Sequence, residues 1–194
     1  MRSLAIGVRR EHHDWSVVHA QPKDQSRYEL WVVSDKQQEV QGTVELRYIS
    51  VATGEDLRPP VVRENISIAA NGTTTVIADG LLDHLAVPEP HILAARLWVD
   101  GQVVARDVDW PQPFKYLDFA DRGLEVTARA GATGEEQILQ ISAHKPVKCL
   151  VFEERDGVIL SDNAIDIYPG DQQMIVVTGL RADTPSLKYR YLGD

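Results

Sequence analysis

Apolar side chains recur at every second position through much of this chain. In "TVELRY", Thr43 to Tyr48, the apolar Val44, Leu46 and Tyr48 alternate with Glu45 and Arg47, so one face of the strand meets a core and the other meets water. The same β-branched and aromatic bias marks 26–34, 42–50, 65–69, 73–78 and 91–99, each a predicted strand. Helical spacing is confined to "GLLDHLAV", Gly80 to Val87, where Pro88 and Pro90 stop any helix after about two turns.

Turn residues fall between these runs. Asp100-Gly101, between "ARLWV" and "QVVAR", is a strong type I′ hairpin signal, because both positions tolerate positive φ. Asn71-Gly72 is expected to play the same part between "SIAA" and "TTTVI". Short strands with a turn between each pair, at a spacing of about 8 to 12 residues, indicate an immunoglobulin-type β-sandwich.

After Ala105 the pattern changes. "DVDWPQPFKYLDFADRG" loses the alternation, and Pro111 and Pro113 flank a single residue; neither proline can sit in a central strand. The neighbouring Trp110, Phe114, Tyr116 and Phe119 suggest a packed joint rather than a loose linker. A second strand series follows at 124–130, 136–143, 147–153, 158–160, 164–168, 173–179 and 187–192. The chain therefore reads as all-β, two tandem immunoglobulin-like antiparallel β-sandwiches: 1–110, a Pro/aromatic-rich joint at 111–118, and 119–194.

Composition narrows the function classes. The 194 residues carry a net charge of −9 and no basic cluster, which argues against a nucleic-acid partner. No apolar run approaches the roughly 18 residues of a membrane helix, so no membrane partner is expected. The opening "MRSLAIGVRREHHDW" lacks the apolar h-region of a secretory signal. The sequons at Asn65 and Asn71 matter only in a secreted protein, and the compartment stays open. Cys149, the one cysteine, excludes an intramolecular disulfide; between apolar neighbours in "VKCLVF" it reads as a buried, unreactive thiol.

The most acidic β-like stretch is "VFEERDGVILSDN", Val151 to Asn163. A retaining glycosidase needs two carboxyl groups about 5 Å apart across a sugar. Adjacent Glu153 and Glu154 on a strand diverge, and Asp156-Gly157 reads as the turn of a hairpin. Asp156, Asp162 and Asp166 do not match a calcium loop, and Asp162 and Asn163 suit turn roles through side-chain bonds to nearby backbone. His12, His13, Asp14 and His19 lack ligand spacing for a metal. Phosphate-loop, dinucleotide and serine-nucleophile motifs are absent, so no catalytic, cofactor or metal residue is expected. The sugar-stacking candidates are Trp15, Trp31, Trp98 and Trp110; of these Trp31 and Trp98, inside apolar strands, better suit core or inter-sheet packing.

"WPQPFKYLDF", followed by "KPVKCLVFEERDGVILSDNAIDIYPGDQQMIVVTGL", resembles the C-terminal end of β-mannosidases of glycoside hydrolase family 2. The matching positions are Trp110 to Tyr116, then Ser161-Asp162-Asn163, Asp166 and Pro169-Gly170. The resemblance implies an accessory region of an enzyme that removes terminal β-linked mannose. It also implies that the catalytic glutamates lie on a (β/α)8 barrel, which needs about 200 to 250 residues with eight helices and has no counterpart here. No catalytic residue transfers. The implied partners are that barrel and mannose-containing carbohydrate, with Trp110 and Tyr116 as candidate sugar or barrel contacts. The alternative is a stand-alone carbohydrate-binding or adhesive β-sandwich module.

Overall fold

The computed structural model describes residues 3–10, 27–81, 89–111, 114–133, 136–180 and 187–194. Backbone contacts divide the chain into two units, Met1–Ile49 with Asp56–Gln112, and Ser50–Glu55 with Pro113–Asp194.

The first unit is a sandwich of two antiparallel sheets. One is ordered β1-β2-β5 (Leu4–Arg10, Arg27–Ser34, Gly72–Leu81), and the other β4-β3-β6-β7 (Val61–Ile68, Val40–Ser50, His91–Val99, Gln102–Asp109). Alternate residues from both sheets meet in one core, with Ile6, Leu30 and Val32 facing Val44, Leu46, Leu93 and Leu97. Each such side chain contributes about 1.5 to 3 kcal/mol on leaving water. Asp100 and Gly101 have φ of 51° and 74°, and they fold β6 onto β7 as their sequence requires.

The second unit repeats the architecture. Its four-stranded sheet is β11-β13-β9-β8 (Ile159–Leu160, Gln173–Thr178, Glu136–Ser142, Glu125–Ala130), and the three-stranded one is β12-β10-β14 (Ile165–Ile167, Val147–Phe152, Tyr189–Arg190). Ile141, Leu150, Phe152, Ile167 and Val177 fill the core. Arg122, 2% exposed, is satisfied by carbonyls, donating to Val51 at 2.7 Å and to Ala120 at 3.0 and 3.2 Å. Such pairing is what lets a guanidinium leave water.

Several sequence-based expectations change. Leu4–Arg10 is a full strand, although its basic end hides the alternation. Gly80 and Leu81 continue β5, while the rest of the expected short helix lies outside the described residues. Asn71-Gly72 is not a hairpin turn within one sheet, because β4 pairs with β3 and β5 with β2. Asp156-Gly157 likewise leads from β10 to β11, in different sheets. Here Val158 donates to Arg155 across the turn, at 3.0 Å, and Gly157 supplies the positive φ, 77°. Cys149 is exposed. It occupies a bulge with φ of 55°, where the β10–β12 register shifts between Val147 and Leu150. Both of those flanking residues therefore reach the core, and the cysteine does not.

Candidate functional site

Trp98 and Trp31 do not join the core; each occupies the alternate, outward phase of its strand. On β2, Trp31 pairs with Gly7 of β1, and its indole occupies the space that a side chain at Gly7 would need. Trp98 instead lines an open groove of about 500 Å³ on the sheet β4-β3-β6-β7, together with Gln41, Thr43, Glu45, Asn65 and Asp100.

Two irregularities shape this groove. On β4, Glu64 and Asn65 stand where β3 offers only Thr43, since Gly42 pairs with Ile66 and Val44 with Arg63. This bulge holds Asn65 at φ 52°, a conformation asparagine tolerates better than most residues. On β7 the register shifts opposite Leu97 and Trp98, beside the Asp100-Gly101 turn. Glu45 of β3 is bonded by Arg96 of β6, with Nε donating at 2.7 Å, and both side chains are mostly buried. The Arg96 guanidinium lies 5.4 Å from the Trp98 ring centroid, near enough to steady it through the ring quadrupole. The groove therefore combines one large aromatic surface with amide, hydroxyl and carboxylate groups.

The end of the acidic run of the second unit, with Asp166 beyond it, does structural work. The Asn163 carboxamide takes both backbone groups of Phe152, accepting from its N–H at 2.9 Å and donating to its carbonyl at 3.1 Å. Asp166 accepts from the Cys149 N–H at 2.7 Å and from Lys148 Nζ at 3.0 Å. The S-D-N-x-x-D pattern thus stitches β10 at its end and at its bulge. Gln173 adds a bond to the Asp166 carbonyl and another to Asp171. Glu153 lies beyond β10 and is held by Arg155, whose guanidinium keeps its carboxyl below the usual range. Among the described residues no group of three or more His, Cys, Asp or Glu side chains is placed to hold a metal.

A buried polar group lies within the first unit. Arg10, 5% exposed, donates to Asp109 at 2.7 Å and to the His91 carbonyl at 2.5 Å. His91 places Nδ1 2.8 Å from the Glu89 carbonyl, while its Nε2 is buried without a partner. Burial, reinforced by the positive field of Arg10, pushes His91 down to about 4. Arg58 lies 3.5 Å from the centroid of Tyr48, whose phenol is pushed up, mainly by burial. Among these groups Asp109 is the one carboxylate and it is paired with Arg10, so they form no converging pair of carboxylates of the kind a glycosidase needs.

The predicted contact residues are separated in character: Trp110 is buried and Tyr116 is 74% exposed, in a 3-10 turn at Phe114–Tyr116. Trp15, His12, His13, Asp14 and His19 lie outside the described residues. The groove was hidden from sequence reasoning because its lining comes from three strands and a turn and because Trp98 sits among apolar neighbours. Glu45, Asn65, Trp98 and Asp100 each drew notice in the sequence, but as strand, sequon, packing and turn residues, with nothing to bring them together.

Residues 26–116 match the family described as "Mannosidase Ig/CBM-like domain". That stretch is therefore similar to a mannosidase Ig/CBM-like domain. Over all 194 residues it is 64% identical to a protein named Beta-mannosidase B from Aspergillus niger and 62% identical to one from Aspergillus oryzae, spanning 23% of each. The chain therefore covers about a quarter of the length of these curated relatives. A solved β-D-mannosidase of Dictyoglomus thermophilum superposes with a TM-score of 0.75 over 98% of the chain and 22% of that structure, at 14% identity. An exo-chitosanase of Amycolatopsis orientalis does so at 0.57, over 83% of the chain and 23% of its own, with 15% identity. At these identities the two structures share the fold of the Ig/CBM-like domain and its neighbour. The resemblance carried by Trp110–Tyr116 and by the S-D-N-x-x-D run is thus matched across the whole chain.

Proposed function

We propose that this chain is the non-catalytic C-terminal accessory region of a β-mannosidase-like glycoside hydrolase, one that removes terminal β-D-mannose. In this reading 1–110 and 119–194 are its two immunoglobulin-like domains and 111–118 the joint, and together they buttress a catalytic barrel encoded elsewhere in the same protein. The observation that carries the reading is the full-length identity above 60% to relatives of which this chain spans 23%. The local chemistry agrees. Asn163 and Asp166, at and just beyond the end of the most acidic run, position β10, and Glu45, Asp109, Asp166 and Glu153 each face a cation.

Trp110 and the exposed Tyr116 remain the proposed points of contact with the barrel or with mannose-containing carbohydrate. If the region buttresses the barrel, the remainder of the parent protein, expressed without it, unfolds at a lower temperature and regains stability when the 194-residue chain is added. A remainder whose melting temperature is unaffected by both deletion and addition contradicts the role.

A further inference from the structure

We infer that the groove around Trp98 is a binding site for an uncharged saccharide ring. A pyranose presents one face of C–H bonds and a rim of hydroxyls, so it needs an aromatic surface beside several donors and acceptors. The groove offers both: the half-buried Trp98 indole, and the side chains of Gln41, Thr43, Asn65 and Asp100 around it. Its volume of about 500 Å³ lies within the range of small-ligand sites.

The charge pattern selects the class of ligand. Glu45 is compensated by Arg96, Asp100 adds an acceptor, and the chain carries a net charge of −9, so an anion is repelled. A purely apolar ligand would bury the polar rim without replacing its bonds to water. The backbone gives independent support. Register shifts on β4 and β7 fall at or opposite two of its lining residues, and bulges are the device by which strands re-aim side chains beside sites. Asn65 is placed on the groove by the first, and Trp98 lies opposite the second. The site lies wholly within the first unit, and neither Trp110 nor Tyr116 lines it. This inference goes beyond the accessory role and rests on it only in the choice of mannose among the test sugars.

Titrating the 194-residue chain with β-1,4-linked manno-, gluco- and N-acetylglucosamine trisaccharides, followed by calorimetry and amide chemical shifts, tests the inference. Saturable binding to at least one sugar is expected, with shifts centred on Trp98, Asn65 and Thr43. Trp98→Ala should weaken it at least about tenfold, equivalent to about 1.4 kcal/mol, whereas Trp31→Phe should leave it unchanged. Asn65→Gly, which keeps the positive φ and removes the amide, provides a second variant should Trp98→Ala fail to fold. No saturable response to any of the three sugars, or binding that survives both variants, overturns the site. Binding confined to a sugar other than mannose supports the site while contradicting the mannoside partner. Hydrolysis of any sugar would contradict the accessory role and leave the site standing.

Discussion

Asn163 shows how a residue that looks like turn chemistry can act at a distance. Its carboxamide replaces a neighbouring strand for Phe152, eleven positions away, and its oxygen also accepts from the Ala164 N–H. Asn163→Ala strands both backbone groups of a buried strand end. It should cost about 2 kcal/mol in urea denaturation, while Glu154→Ala, at an exposed neighbour, stays within about 0.5 kcal/mol. His91 gives a pH signature. Its folded pKa, about 4, lies below the ordinary 6.5, so the unfolded chain binds the proton first as acid is added. Stability supplied by the neutral ring is complete above about pH 6.5 and is lost as pH falls toward 4, by up to about 3 kcal/mol. His91→Gln removes this component, so the stability gap between wild type and variant should narrow across that window. A gap independent of pH contradicts the assignment.

At the scale of elements, most strands were legible because period-two alternation is a local property. Their partners were not. Asp100-Gly101, Asn71-Gly72 and Asp156-Gly157 look alike in sequence, yet only the first joins strands paired with each other. That choice is made by the sandwich, which sends the chain across to the opposite sheet wherever the core requires it. Phase was also lost at bulges: at Cys149 one extra residue turned an expected core thiol outward. Close approach is equally invisible in sequence. Gly54 and Gly157 share positive φ, 80° and 77°, but a Cβ at Gly54 would lie 2.1 Å from the His144 carbonyl oxygen, whereas Gly157 has open space. Gly54→Ala should therefore cost at least about 2 kcal/mol and Gly157→Ala about 1 kcal/mol, as read from urea midpoints. Equal costs would mean that the contact does not matter.

At the scale of the molecule, each unit is a β-sandwich with its own apolar core. The resemblance was legible in the S-D-N-x-x-D run, which is itself structural: Asn163 and Asp166 hold β10 through its Phe152 and Cys149 N–H groups. The groove was not legible, since Gln41, Asn65 and Trp98 meet only after β3, β4 and β6 have paired into one sheet. The central claim is that this region serves a glycosidase without performing the reaction. Assaying the purified 194-residue chain and the full-length protein that carries it on a chromogenic β-mannoside, across the pH range, tests this most directly. The account predicts turnover by the full-length protein and none by the chain; turnover by the chain that survives repurification would contradict it.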